Sequence, residues 1–581
     1  MNPSKYPALK PSHSTTALKH GFNAIRAVAI KRRHTLNRVA APETPQILDS
    51  GLDYLSDAAK AKATDPKANK FEKVKAAKCG SKMWTEVTEL AALIREGKTS
   101  WDALELDDID IRMKFAGLFH RRKRTPGKFM MRVKAPNGEL NAQQLRVLAN
   151  CIKPYGEDGC ADITTRAGVQ LRGVVLEDAD KIVSDLLAND LTSFQTGMDS
   201  VRNLTGNPIA GIDPHEVIDT RPLLREMQDM LFNKGLGRTE FANLPRKINV
   251  CISSTRDDFP HTHINDVGFE ATHDPDSGNV VFNVVVGGYF SVKRNTVSIP
   301  MDTCVTQEQL IPFTEALMRV FRDYGPRKDR QKARLMWLVE EVGVDKFRDL
   351  IGEYMGGVKL RHAVPMHHEG EWPRRNLLGV HPQKQEGYSW VGANVPVGRI
   401  YAADLDEFAR ISELYGDGSV RLTCEENVLF PNIPNDKVPK MLEEPLFQKF
   451  KVFPGALEGG LVSCTGSQFC GLALIETKNR AMALVAKLEA ELDLPRPVRI
   501  HWTGCPNSCG QAQVGDIGIM GAPARLNGKA VEGVKIFLGG VIGENPKLAE
   551  EFAVGIPADE EHLLPKLREI LVNDFGAVAR A

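Results

Sequence analysis

The chain has 581 residues, 42% of them hydrophobic and 26% charged, with 75 Lys and Arg against 74 Asp and Glu. Those proportions describe a globular chain of about three to four domains and give no electrostatic reason to expect a nucleic-acid partner. They also exclude a membrane span: the best apolar run, 280 to 290, is short and broken by Asn283, Gly287 and Gly288.

In chain order, residues 1–42 come first. They hold eight Lys or Arg and no Asp or Glu, with hydroxyl residues and a basic amphipathic pattern over 17–30. That composition predicts an organellar transit peptide, removed near Ala41; a retained basic tail is the alternative. Taking these eight from 75 leaves 67 basic against 74 acidic side chains, a balance of −7. Residues 43–118 read as polar and helical, with apolar residues at helical intervals over 84–94 and 101–119. The Lys-rich stretch from Lys60 to Lys78 reads as a solvated helix or linker, or a docking face.

The next block alternates. Residues 129–134 (FMMRVK) read as a strand, 141–152 as a helix after Pro136-Asn137-Gly138, and 161–175 as two short strands. This pattern returns near residue 405: Tyr155-Gly156 and Tyr415-Gly416 stand 260 apart, as do Thr205-Gly206 and Thr465-Gly466. Ile264–Gly268 resembles Val514–Gly518, and Val286-Gly-Gly-Tyr aligns with Leu538-Gly-Gly-Val. Echoes in one order predict a duplicated domain pair with an approximate two-fold axis. The fold class is therefore α+β, with mixed and antiparallel sheets flanked by helices in a three-domain architecture. The expected boundaries are 119–195 and 361–440 for the smaller half domains, and 196–360 and 441–581 for the larger ones. Residues 307–356 read as helices between the copies.

The second copy carries the thiols. Cys464 and Cys470 enclose five residues, and Cys505 and Cys509 enclose three, in loops rich in glycine and stiffened by Pro506. Thiolates are soft anionic ligands, and four of them suit a 4Fe-4S cluster. Structural zinc spaces its pairs by about two to four residues, which the first pair exceeds. Disulfides and four unrelated core cysteines are the other readings that spacing leaves open. Cys79, Cys151, Cys160, Cys251, Cys304 and Cys424 form no second set and read as buried, reduced residues.

The strings CTGSQFCGLALIETKNRA (464–481) and HWTGCPNSCGQAQVGDIGIMG (501–521) resemble the cluster motifs of plant and algal ferredoxin–nitrite reductases, within the sulfite/nitrite reductase family. The resemblance implies an assimilatory oxidoreductase that reduces nitrite to ammonium by six electrons. It implies a 4Fe-4S cluster on Cys464, Cys470, Cys505 and Cys509, and siroheme bridged through Cys509. It also implies reduced ferredoxin as donor, a plastid location and a monomer. Ferredoxin-sulfite reductase is the nearest alternative, and a non-catalytic iron-sulfur carrier or zinc-stabilised binding protein the more distant one.

Siroheme is a polycarboxylate and nitrite an anion, so a cationic lining is expected, and the first copy supplies it. Motif by motif, the resemblance places Arg132 (FMMRVK), Arg202 (VRNLTGNP), and Lys247 and Asn249 (LPRKIN) around the substrate. It places Thr164, Arg166, Gln170 and Arg246 on siroheme carboxylates. Sulfite reductases of the family generally carry Lys where Asn249 stands. One cation fewer suits monoanionic nitrite over the largely dianionic sulfite. No flavin or nicotinamide fingerprint is present; Gly235-Leu-Gly237 lacks the third glycine. That points to a separate protein as the electron source; the resemblance implies ferredoxin, an acidic donor, with Lys60–Lys78 and Arg121–Arg124 as its candidate docking sites.

Overall fold

The computed structural model describes residues 50–121, 124–366 and 368–580. The expected transit peptide and residues 122 and 123 of the basic run lie outside them.

Local signals start the elements where the sequence predicts. The Asn141 side chain accepts the Gln144 amide, and the Gln144 side chain accepts the Asn141 amide in return. This reciprocal cap opens the helix Ala142–Ile152, which buries Leu145, Leu148 and Ile152 on one face. It packs against the helix Ala402–Tyr415 of the second copy.

The two smaller half domains exchange strands. The sheet Leu118–Arg121, Thr125–Val133, Val169–Val175, Cys160–Ile163 is completed by Arg399–Tyr401 from the second copy. The sheet Gly379–Pro382, Tyr388–Ala393, Val428–Pro434, Ser419–Leu422 is completed by Glu139–Asn141 from the first. Arg399 lies opposite Asp162 in one sheet, and Glu139 opposite Arg421 in the other. One hydrophobic core therefore spans both halves, running from Phe129 and Leu148 to Phe408 and Phe430.

The larger domains each have their own core. In the first, Val250–Ser253 runs parallel to Val267–His273, followed by the antiparallel strands Val280–Val286 and Ile299–Thr306. In the second, Ile500–Thr503 runs parallel to Ile517–Leu526, followed by Lys529–Leu538 and Glu550–Pro557. The α+β class, the duplication and the three-part architecture are as expected. The two-fold relation is visible in the backbone. Asp258 and Ser508, 250 apart, both have φ 47°, and His261 (φ 61°) and Gln511 (φ 58°) both precede a 3-10 turn. Non-glycine residues seldom adopt this left-handed region. The last two meet each other: His261 Nδ1 lies 2.9 Å from Gln511 Oε1, which puts the axis between them.

Two expectations need correction. Residues 101–119 are not one helical stretch. They break into the short turns Trp101–Ala103, Leu106–Asp110 and Arg112–Ala116, and Phe119 belongs to a strand. Gly117 ends the run at φ 85°, where a Cβ would sit 2.4 Å from Ser193 O. Nor is Lys60–Lys78 simply solvated. It forms the helices Asp57–Ala63 and Lys70–Ala77, and the second buries Glu72 and Lys75.

Candidate active site

A cleft between the two copies encloses about 1730 Å³ of atom-free space, part of it open to solvent. One wall is built by the first copy. Arg132 stands on the strand Thr125–Val133 directly opposite Gln170. Thr164 and Arg166 lie in the turn between the strands Cys160–Ile163 and Val169–Val175. Arg202 follows the bridge residue Val201, and Arg246, Lys247 and Asn249 precede the strand Val250–Ser253. All eight line the cleft, with Cys464 and Cys509 from the second copy.

Four cations of this wall lack counter-ions. Among the described residues, no carboxylate pairs with Arg132, Arg166, Arg202 or Lys247. Arg132 Nη1 donates to Thr196 O (2.9 Å), and its guanidinium lies 4.7 Å from the centre of the Phe119 ring. Arg202 Nη2 donates to Met198 O (2.9 Å). The buried Arg166 Nε and Asn249 Oδ1 have no partner. Burial, then Arg334, Arg246 and Arg202, push Lys247 well below the ordinary lysine range. Burial and neighbouring cations bring Arg132 and Arg246 down to about 10. Lys114, at the same cleft, falls to about 8 through burial and Arg121. Crowded cations with depressed proton affinities are the signature of a site that expects anions.

Gln170 and Thr164 are already engaged. Gln170 Oε1 accepts Arg172 Nη2 (2.9 Å), and Thr164 Oγ1 accepts the amides of Arg166 and Gly168. Asn249 offers its amide to Asp266 (2.7 Å), whose two oxygens are forked by Arg334 at 2.9 and 2.6 Å.

The thiols gather opposite. All four are free. Cys464 interacts electrostatically with Cys509, and Cys505 with both Cys509 and Cys470, so the two loops share one locus. Gly504 N–H donates to Cys464 Sγ at 3.1 Å, and Asn507 Nδ2 to Cys505 Sγ at 3.5 Å. Such donors stabilise metal-bound thiolates. Among the described residues, no three of these sulfurs converge within 4.8 Å. Bonds of about 2.3 Å to one zinc ion draw tetrahedral sulfurs to about 3.8 Å. The thiols are not in the arrangement that a single zinc ion requires, and the unpaired cations suit a polycarboxylate beside them.

The first copy also grips the thiol loops directly. Thr165 Oγ1 donates to Cys509 O at 2.9 Å, and Arg172 Nη2 donates to Thr465 Oγ1 at 2.6 Å.

Over 524 residues the chain is 48% identical to the ferredoxin–nitrite reductase of Synechococcus elongatus, covering 90% of this chain and 100% of that one. The chloroplastic ferredoxin–nitrite reductase of Spinacia oleracea is 46% identical over 518 residues, covering 88% and 86%. The chain belongs to the ferredoxin–nitrite reductase family. Two family descriptions match it twice each. The nitrite and sulphite reductase 4Fe-4S domain matches 197–359 and 459–574, and the nitrite/sulfite reductase ferredoxin-like half domain matches 121–189 and 381–448. The structure of the Mycobacterium tuberculosis NirA protein superposes with a TM-score of 0.79 at 26% identity, covering 87% of this chain and 93% of that one.

For a ferredoxin–nitrite reductase, some cleft residues were not singled out from sequence. Arg330 and Arg334 come from the linking helical region, where the run 327–334 looks like a solvated surface. Lys478, fully buried, corrects the expectation that only the first copy lends cations. It sits in the cluster string itself, and its signal was masked by the helix that starts there. Arg121 turns into the cleft, so of the described part of its basic run only Arg124 is exposed.

Proposed function

We propose that this chain is a ferredoxin-dependent assimilatory nitrite reductase, taking nitrite to ammonium with siroheme and a 4Fe-4S cluster. The observation that carries this reading is the pairing, across one cleft, of a four-thiol locus with cations that have no carboxylate partners. Cys464, Cys470, Cys505 and Cys509 would hold the cluster, and Cys509, at the cleft edge, would be shared with the siroheme iron. Thr164, Arg166, Gln170 and Arg246 would face siroheme carboxylates. When bound, siroheme and cluster supply the iron centre and the electrons.

The chain's own side chains do the rest. Arg132, Arg202 and Lys247 hold a small anion by charge and by directed N–H groups fixed before it arrives. Their carbonyl contacts orient Arg132 and Arg202 without cancelling their charge. Lys247, in the cleft lining and crowded by Arg334, Arg246 and Arg202, is placed to serve as a proton donor. An arriving anion strengthens its hold on the proton. Asn249 leaves the pocket one cation short of a dianion site and supports nitrite over sulfite.

The donor would dock through an acidic face onto exposed lysines of the N-terminal helices and the turn between them, Lys67, Lys70 and Lys73, or onto Arg124. Plastid stroma is the proposed location, in keeping with the chloroplastic plant relatives, and a monomer the proposed state. The test is the visible spectrum of the purified protein together with turnover of nitrite and sulfite on one reduced ferredoxin. Siroheme bands and a preference for nitrite are expected. A colourless protein, or one with only a cluster spectrum, would falsify the reading.

A further inference from the structure

The helix Lys70–Ala77 buries two charged side chains one turn apart, Glu72 and Lys75. A buried ion pair is costly unless its remaining donors and acceptors are met. Here partners come from Asp199, Leu244 and Arg327, none of which lines the cleft itself. Lys75 Nζ lies 2.5 Å from Glu72 Oε1 and donates to Asp199 Oδ2 at 3.0 Å and Leu244 O at 3.2 Å. Glu72 Oε2 accepts Arg327 Nη1 at 3.1 Å. Asp199, itself fully buried, accepts both arms of the Arg330 guanidinium at 2.8 Å each.

That guanidinium stacks over Phe71 of the same N-terminal helix, 3.8 Å from the ring centre. The Arg330 carbonyl accepts Arg246 Nε at 3.3 Å, and Arg246 Nη1 stands 4.0 Å from Asp199. Phe71, Arg246 and Arg330 all line the cleft. The cluster holds four cations (Lys75, Arg246, Arg327, Arg330) against two carboxylates, Glu72 and Asp199. Lys75 and Arg327 do not line the cleft, so the surplus positive charge is presented by Arg246 and Arg330.

We propose that Asp199, locked by Lys75 of the N-terminal helix, is a positioning residue that holds the Arg330 guanidinium toward carboxylates of the bound tetrapyrrole. The N-terminal helix is then part of the cofactor site. A flexible arginine loses much conformational freedom when it binds. A two-pronged carboxylate contact and a ring beneath it remove that freedom in advance. The proposal rests on the cleft being the siroheme site.

The test is siroheme release from holoenzyme, followed by the decay of its visible band, in Asp199→Asn, Arg330→Met and the double variant, each checked for fold by circular dichroism. Asp199→Asn is expected to release siroheme about 10- to 100-fold faster, the usual loss when a supporting partner of a bound ligand group is removed. The double variant is expected to release it no faster than Arg330→Met alone, because Asp199 acts through Arg330. A merely structural Asp199 would instead multiply the two effects. Multiplying effects, or an unchanged rate in Asp199→Asn, overturns the proposal. Should Asp199→Asn not fold, Arg330→Lys carries the same test: it keeps the charge but loses the fork. Faster release supports the proposal, and release at the wild-type rate overturns it. A wild-type chain that holds no siroheme overturns the functional reading instead, so the two failures are distinguishable.

Discussion

Replacing Asn249 with lysine tests the charge argument for substrate choice. The Asn249 side-chain oxygen has no partner, and its hydrogen bond to Asp266 runs through the backbone, so the substitution breaks no native bond. Arg334 already neutralises Asp266, so the new ammonium adds net positive charge to the pocket. Its charge is therefore available to an anion. At a separation of roughly 6 Å and an effective dielectric of about 20, each unit of negative charge gains about 2.8 kcal/mol. A dianion gains that much more than a monoanion, about 100-fold at 1.4 kcal/mol per decade. Neighbouring cations weaken the new lysine's hold on its proton, so a rise of about 10- to 100-fold is the expectation. The assay is kcat/KM for sulfite and nitrite at pH 8 with one reduced donor, on variant carrying wild-type siroheme content. An unchanged sulfite-to-nitrite ratio refutes the reasoning.

Other predictions concern the joints between the copies and the charge of the cleft. Asp162 accepts Arg172 at 2.9 and 3.0 Å and Arg399 at 2.6 Å, with Lys478 at 3.7 Å; burial opposes its charge, but these cations outweigh it and hold it well below the usual carboxylate range. Asp162→Asn leaves buried cations uncompensated and should cost about 3–5 kcal/mol in urea unfolding; a loss under 1 kcal/mol contradicts the pairing. Thr165→Val removes the 2.9 Å bond to Cys509 O and should cost about 1 kcal/mol, with siroheme content unchanged. Lys114 sits at about 8 in the folded chain, below its ordinary 10.5. Between those values the unfolded chain binds more protons, so the Lys114 contribution makes stability rise with pH. In cofactor-free protein, Lys114→Met should flatten the rise in Tm over that window; parallel wild-type and variant profiles would contradict it.

Much of the site was legible because its signals are local. The thiols, glycines and Pro506 lie within two short loops, so spacing and residue type carry the message without a fold. The duplication was legible for a related reason: Tyr155-Gly156 and Tyr415-Gly416, like Thr205-Gly206 and Thr465-Gly466, repeat the same residues 260 apart. The strand exchange was not legible. Glu139–Asn141 and Arg399–Tyr401 are three residues each, too short for a period, and their partners lie in the other copy. Lys75 was misread for the same cause. A lysine in a basic run reads as solvated, and nothing nearby announces Asp199, 124 residues away. Arg330 and Arg334 likewise gain their meaning only from Asp199 and Asp266.

The central claim is that one sulfur joins an iron-sulfur cube to a tetrapyrrole iron in the cleft between the copies. Crystals of the holoprotein measured at the iron absorption edge test it most directly. The account predicts a four-iron peak enclosed by Cys464, Cys470, Cys505 and Cys509. It also predicts a separate single-iron peak in the cleft, with Cys509 Sγ at bonding distance from both. A single-iron peak that Cys509 does not reach, or a cube bound by other residues, would contradict it.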